Sequence, residues 1–367
     1  MEDYVLPESL ILDVLSRLPV ETIARCKCVC KKWRDLVSDT YFVDLHLSRS
    51  RPCLMFHQNK YPHRILELVE VEHEADYDRL TFGHVKSLNL CLRAFRARNQ
   101  ITEVGSINGL ICLCHEGYDI YIFNPVVEEY MILPQPPYLN FLSRVSYGFG
   151  VSMGGEYKVI RIIGRRIPEE RFMASVKIEV YTLGTDQWRS LGPTPYHIDY
   201  RGLLVSGVFV NSHVYWFDYI QIYDFDLDTE TFELIPPPAG LRDDHESKQM
   251  LGVLKGSLSL FFGSSLGFNV WVMKESSWHK AIAIEENINL VFGSPEWKPL
   301  FLIDGLNGTS ILILCVKEDR KNLVWYCLNT NKILDLNIPG NHLKVISTYR
   351  PSFIKLQNFG SKRVLSL

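Results

Sequence analysis

Apolar positions follow two different rhythms along the chain. In the first 48 residues they recur at helical spacing: Leu10, Ile11, Val14, Leu15 and Leu18 form one broad stripe. Leu6-Pro7-Glu8-Ser9 puts proline at the first turn, where its missing N–H costs little. Leu18-Pro19 ends that helix, because a residue before proline avoids the α region. A second helix opens at Pro19 and carries Val20, Ile23, Cys26, Val29 and Cys30. A third, short one holds Trp33, Leu36 and Val37, with Phe42 tucked back beneath it. The pattern predicts a small three-helix module over residues 1–48.

From residue 49 to residue 367 the helical period is gone. Short runs rich in Val, Ile, Tyr, Phe and Trp are broken by Gly, Pro, Asn and Asp, which predicts many short strands. One phrase repeats: an alternating strand, a polar turn, and a second strand led by an aromatic or aliphatic residue. It runs from Ile120–Asn124 to Tyr130–Pro134, from Val180–Gly184 to Trp188, from Ile222–Asp226 to Phe232–Pro236, from Val270–Met273 to Trp278, and from Val324–Asn329 to Ile333–Leu336. With Phe123, Leu183, Phe225, Val272 and Cys327 as equivalents, the spacings are 60, 42, 47 and 55. That is close to the ~50 residues of a kelch-type propeller blade. Each phrase follows another strand-like run, such as Leu110–Cys114, Tyr157–Ile163 or Leu258–Phe262, so four strands make one unit. The expectation is a kelch-like β-propeller of about six blades, with seven allowed and a long β-sandwich as the alternative. The first blade would be the irregular stretch from Pro52 to about Phe95. Closure would bring Lys344–Thr348 and Phe353–Leu356 beside the first strands, since a ring must hide its edges.

Composition narrows the class of function. At 47% apolar and 22% charged residues the chain is ordinary globular protein rather than disordered. A net charge of -3 without a basic run argues against broad electrostatic binding of nucleic acid. The longest apolar run, Ile311 to Val316, is far short of the ~20 residues that span a bilayer. The acidic start Met1-Glu2-Asp3-Tyr4 is unlike a signal peptide, so a cytoplasmic and/or nuclear protein without a membrane is expected. Nine cysteines, an odd number set within apolar patterns, fit a reducing compartment. No C-x-x-C pair exists, and Cys53, His57, His63 and His73 are irregularly spaced, so no metal and no cofactor is expected.

The small module poses a physical problem. About 45 residues hardly bury enough apolar surface to stand alone. Its first helix is apolar over nearly half its circumference, so it must lie against the rest of the chain or insert into a partner. Periodicity leaves both open.

The string Leu6-Pro7, Val14-Leu15, Arg17-Leu18-Pro19, Arg25, Val29-Cys30-Lys31, Trp33 and Phe42 resembles, in order, the pattern of an F-box. That resemblance implies docking to a Skp-type adaptor, and through it to the cullin and RING subunits of an SCF ubiquitin ligase. It implies adaptor contacts for Leu6, Pro7, Leu10, Ile11, Leu15, Leu18, Pro19, Val20, Val29, Cys30 and Trp33, whereas Ile23, Val37 and Phe42 read as core. Further along, Asn108–Leu113, Phe123-Asn124-Pro125, Tyr147-Gly-Phe-Gly150 with Glu156–Ile160, and Val180–Trp188 are similar, in order, to the plant F-box-associated domain. Glu156-Tyr157-Lys158 replaces that family's usual Asp-Tyr-Lys. S-locus F-box and S-locus-like proteins share this layout. That branch implies an S-locus ribonuclease as target, but no residue fixes the chain within it.

Catalytic motifs are weak by comparison. Gly263-Ser-Ser265-Leu-Gly267 fits G-x-S-x-G, but it lies between two strand runs, where a hairpin is expected rather than a nucleophile elbow. Gly148-Phe-Gly150 neither completes a dinucleotide motif nor precedes a helix. Asn307-Gly-Thr309 reads as a turn, and Glu169-Glu170 and Glu285-Glu286 as solvated loops. Recognition residues are expected on inter-strand loops: Arg165, Arg166, Arg171 and Phe172; Tyr196, His197, Tyr200 and Arg201; Phe292 and Trp297. The expected role is a non-catalytic substrate-recognition subunit of an SCF ligase that binds an unknown protein target. A propeller enzyme or a non-ligase binding module is the alternative.

Overall fold

Four short helices open the chain in the computed structural model: Glu8–Leu15 (α1), Val20–Cys26 (α2), Lys31–Leu36 (α3) and Thr40–Arg49 (α4). The structure describes the chain outside residues 1–5, 52, 61–62, 74–79, 90–100, 116–118, 135–142, 166–171, 200–205, 240–247, 265–266, 285–297, 305–309, 317–321, 328–331, 337–342, 361–363 and 367. Pro7 and Pro19 sit at the N-caps of α1 and α2, where no backbone donor is missed. The Cys30 thiol accepts the Trp33 N–H to cap α3, and the Asp39 carboxylate accepts the Tyr41 N–H to cap α4. The expected three-helix module therefore gains a fourth helix. Phe42 is buried as expected, but it is carried inward by α4 itself.

Strands follow in consecutive antiparallel groups. Cys53–Lys60, His63–His73 and Leu80–Asn89 are β1 to β3. Ile101–Ile107, Leu110–His115, Asp119–Asn124 and Glu129–Ile132 are β4 to β7, and Ser143–Val151, Tyr157–Arg165, Ala174–Thr182 and Trp188–Pro193 are β8 to β11. Val208–Val210, His213–Phe217, Ile222–Asp226 and Phe232–Ile235 are β12 to β15. Lys248–Leu254, Ser257–Ser264, Gly267–Lys274 and Ser277–Ile284 are β16 to β19, and Lys298–Asp304, Ser310–Val316, Asn322–Cys327 and Lys332–Leu336 are β20 to β23. Leu343–Tyr349 is β24 and Val364–Ser366 is β25.

Among the described residues these strands form six sheets, five of four strands and one of five. The leading strands β24, β4, β8, β12, β16 and β20 contact one another in sequence and return to the start. Sheets ringed edge-in around a common axis make a β-propeller, which excludes the sandwich. The repeated phrase of the sequence supplies the third and fourth strands of five sheets, as with β6–β7 and β14–β15.

Closure is made by β24, which pairs with β1 and so joins the end of the domain to its beginning. Lys344–Thr348 takes the expected place in that ladder. Phe353–Leu356 does not: the chain leaves the sheet after Tyr349, two residues before Pro351, makes a 3₁₀ turn at Leu356–Phe359, and only then adds β25 beside β7. Proline cannot donate to a ladder, which favours an exit before it.

Motif glycines serve packing between neighbouring sheets. A methyl group on Gly148 would lie 2.6 Å from the Trp216 ring. On Gly150 it would lie 2.4 Å from Leu227. The Tyr147-Gly-Phe-Gly150 signature is thus a flat strand face against which the next sheet closes, not a phosphate cradle.

Candidate functional site

The helical module divides its apolar residues between a core and a surface. Leu15, Val20, Ile23, Cys26, Val37, Phe42 and Val43 are buried together, with Ile11, Leu12, Leu18, Trp33 and Leu36 packed partly against them. Leu6, Leu10, Val14 and Val29 stand 53–65% exposed. Pro7, Pro19 and Cys30 are exposed as well. Of the residues expected to meet an adaptor, Leu15 (2% exposed) and Val20 (8%) are instead committed to the core. Along α1, Leu15 turns inward while its neighbour Val14 turns out. Val14 is the surface residue missed from that set; its place in the stripe marked it as apolar but gave no side.

A separate open groove of about 690 Å³ between α1, α3 and the start of α4 is lined by Glu8, Leu12, Lys32, Asp35, Leu36, Asp39 and Tyr41. The Lys32 ammonium and Glu8 carboxylate bridge it at 3.5 Å. Tyr41 is largely exposed, and nothing in the periodicity of α4 separated it from the buried Phe42. On the other side, Arg49 ties α4 to α1 through Asp13 (2.7 Å) and the Ser16 hydroxyl (2.6 Å). The hydrogen bonds from Arg17 and Arg49 hold the Asp13 carboxyl below its ordinary range.

The core of the helices is not self-contained. Phe353, from the far end of the chain, is buried among them, with Val126, Val127 and Ile354 packed alongside. Its ring centroid lies 6.5 Å from that of Phe42 and 5.2 Å from that of His46, and the Lys27 ammonium sits 4.6 Å above it. His46 is buried, with Nε2 3.1 Å from the Leu18 carbonyl. Burial pushes the His46 pKa down, and burial followed by the charge of Lys355 lowers that of Lys27.

On the propeller, the loop candidates separate. Arg165 is exposed at the end of β9. Phe172 is exposed, bridges to Asp199, and lies 6.3 Å from the exposed His197. Tyr196 instead leans onto Tyr223 and Phe232, at 6.4 and 6.0 Å between centroids. Arg166, Arg171, Tyr200, Arg201, Phe292 and Trp297 lie outside the described residues. Beneath Phe172 and His197 the buried Asp218 carboxylate accepts the Tyr223 hydroxyl (2.7 Å) and the N–H groups of Asp199 (3.0 Å) and Gln221 (2.8 Å). Burial, then the Asp218 charge, pushes the Tyr223 pKa upward. These bonds tie Asp199, Gln221 and Tyr223 to one carboxylate.

Buried charges elsewhere join neighbouring sheets or neighbouring strands of one sheet. Lys158 on β9 reaches across to the β14–β15 turn, donating to the Leu227 carbonyl (2.7 Å) and to Glu230 (3.0 Å). Arg189 adds a 2.6 Å bond to the same Glu230. Arg161 pairs with Glu179 and lies 4.0 Å from the Trp188 ring. Burial opposes ionisation of Glu179, yet Lys177 and Arg161 outweigh it and keep its pKa low.

Among the described residues no group of three or more His, Cys, Asp or Glu could hold a metal ion. Cys26, Cys53, Cys112 and Cys114 are buried thiols, and Cys28 and Cys30 are exposed ones. Gly263 and Gly267 belong to the antiparallel pair β17–β18, so the G-x-S-x-G string is a hairpin without the strand–turn–helix of a nucleophile elbow. Its Ser265 lies outside the described residues, as do Glu169-Glu170, Glu285-Glu286 and Asn307–Thr309. No described helix is long and apolar enough to cross a membrane.

Comparison with known proteins agrees with this architecture. Residues 66–356 match the family described as "F-box associated beta propeller domain", and residues 4–44 match "F-box-like". The chain is 28% identical to F-box protein At3g07870 of Arabidopsis thaliana, covering 88% of this chain and 82% of that one. F-box protein CPR1 of the same plant is 26% identical, with 91% and 84% covered. F-box/kelch-repeat protein At3g23880, also from Arabidopsis thaliana, is 25% identical, with 82% and 84% covered. An exposed apolar face on a small helical module, joined to a closed ring of antiparallel sheets and matched along both parts, identifies the chain as a member of the plant F-box proteins that carry an F-box-associated β-propeller domain.

Proposed function

We propose that this protein is the substrate-recognition subunit of an SCF ubiquitin ligase. Residues 1–48 would dock a Skp-type adaptor, and residues 49–367, with their six sheets taken as six blades, would hold the target. The observation that carries this reading is the row of exposed apolar side chains Leu6, Leu10, Val14 and Val29 on a module whose core is already filled. Apolar groups left in water beside a complete core mark a binding face. In this reading the half-buried Ile11, Leu18 and Trp33 and the exposed Pro7, Pro19 and Cys30 would add to the contact.

In this role the chain performs no covalent chemistry. It raises the effective concentration of target lysines at the ubiquitin-charged conjugating enzyme, which the adaptor, cullin and RING subunits bring to the same assembly. Its place of action would be the cytosol or the nucleus. Phe172 and His197, exposed and 6.3 Å apart, support a protein target gripped at that end of the propeller, with Arg165 nearby in sequence.

The test is co-expression with a plant Skp-type adaptor and affinity capture of wild type, Leu10→Asp and Val14→Asp. A charge placed in an apolar interface costs several kcal/mol, enough to abolish a micromolar complex. Capture by wild type and loss in both folded variants is the expected result. Absence of capture by the wild-type chain would overturn the reading.

A further inference from the structure

The segment Tyr349–Phe359 touches both parts of the molecule, and its contacts are concentrated on the motif residues of the propeller. The Asn124 amide donates to the Ser352 carbonyl (2.9 Å) and to the Ile354 carbonyl (2.7 Å), while its oxygen accepts the Val126 N–H (2.9 Å). Glu129, on β7, accepts the Leu356 N–H at 2.6 Å. Gly109, at φ +85°, brings its backbone so near that a methyl group there would stand 2.3 Å from Ser352 Cβ. Gly184, at φ +94°, does the same to the Phe359 carbonyl oxygen, also at 2.3 Å. Tyr157, whose hydroxyl accepts the Asn108 amide (2.9 Å), packs edge-on against Phe359 with centroids 5.2 Å apart.

Three separate stretches of the chain, Asn108-Gly109, Phe123-Asn124-Pro125 and Val180–Gly184, therefore converge on one short length of backbone. That backbone then delivers Phe353 into the core of the helices. Beyond the segment, β25 pairs with β7 of the same sheet.

We propose that Tyr349–Phe359 is a strap that fixes the orientation of the adaptor-docking helices on the propeller, with Phe353 as the positioning residue. The inference rests on the proposed ligase role for its purpose, since a ligase receptor must hold its target at a set distance from the ubiquitin-bearing enzyme. Its physical content concerns the free chain alone. Helices joined only through the connection from Arg49 to Cys53 would swing; the strap, together with Val126 and Val127 packed beside it, adds a second attachment that removes this freedom.

Small-angle X-ray scattering and limited proteolysis of the full chain test it without any partner. The variants are Phe353→Ala, Phe353→Leu and Asn124→Ala; the last loosens the strap from the propeller side by releasing the Ser352 and Ile354 carbonyls, together with the Val126 N–H, and leaves Phe353 itself in place. Expected is a larger radius of gyration and faster cleavage at residues 49–53 in Phe353→Ala and Asn124→Ala, with the thermal transition of the propeller retained and Phe353→Leu close to wild type. Should Phe353→Ala unfold the helices, Asn124→Ala decides. Unchanged scattering and cleavage in folded Asn124→Ala would overturn the proposal. Neither measurement requires an adaptor, so the strap is tested equally well in a chain that binds none. Where the adaptor does bind, capture by Asn124→Ala should match wild type, which separates orientation from docking.

Discussion

The Trp188 indole N–H donates to the Pro134 carbonyl at 2.9 Å, from the last strand of one sheet to the end of the sheet before it. Trp278 repeats the arrangement with the Pro236 carbonyl at 2.8 Å, further around the ring. In each case a proline lies just past a fourth strand, where the ladder has ended, and the tryptophan opening another sheet's fourth strand supplies the donor. The repeated phrase of the sequence is thus also a repeated joint between sheets.

Trp188→Phe should lower stability by more than Trp278→Phe. Loss of the hydrogen bond alone costs about 0.5–1.5 kcal/mol. Trp188 additionally stacks on Arg161 and lies 5.5 Å from Tyr181, whereas the bond of Trp278 is exposed. Urea denaturation of the two variants measures the difference.

Leu15→Asp and Leu10→Asp should part company. Leu15 is buried against Val20, Ile23 and Phe42, so a carboxylate there unfolds the helices. Leu10 is exposed, so its variant keeps the wild-type circular dichroism and loses only adaptor capture. Equal loss of helicity in both would contradict the division of the stripe into core and surface.

Breaking one partner of the Arg161–Glu179 pair should be severe. Arg161→Met leaves a buried carboxylate facing apolar neighbours, at a cost of roughly 3–5 kcal/mol, eased to the extent that Lys177 remains beside it. The double variant Arg161→Met/Glu179→Met should recover much of that loss. Thermal melts of the single and double variants form the cycle that checks it.

Acid should weaken the joint between helices and propeller through His46. Its folded pKa lies below the unfolded value of about 6.5, so between the two the unfolded chain binds the extra proton. Stability is then complete above about pH 6.5, declines as pH falls toward the folded pKa, and levels off beneath it. His46→Phe should flatten this dependence. Melting temperature against pH for both proteins gives the comparison.

Much of the architecture is legible in the chain alone. The shift from a helical to a strand rhythm near residue 49, the period near 50 and the pairing of Lys344–Thr348 with the first strands follow from side-chain alternation and from the need to close an edge. The fourth helix is not: Thr40–Arg49 has a weak apolar stripe because one of its faces is covered by distant residues, Phe353 among them. The exposed face is half legible, since Leu10 and Leu15 carry the same side chain and differ only in which way the helix is turned.

By itself the sequence determined what is local: where helices start at Pro7 and Pro19, where strands alternate, and which short strings resemble an F-box and its associated domain. Only the tertiary structure decided what Asn124, Gly109 and Gly184 are for, and which leucines face water. Local spacing records the conformation of a residue and its nearest neighbours along the chain. The partner of Asn124 lies 228 residues away, and it comes within hydrogen-bond reach only once the ring has closed.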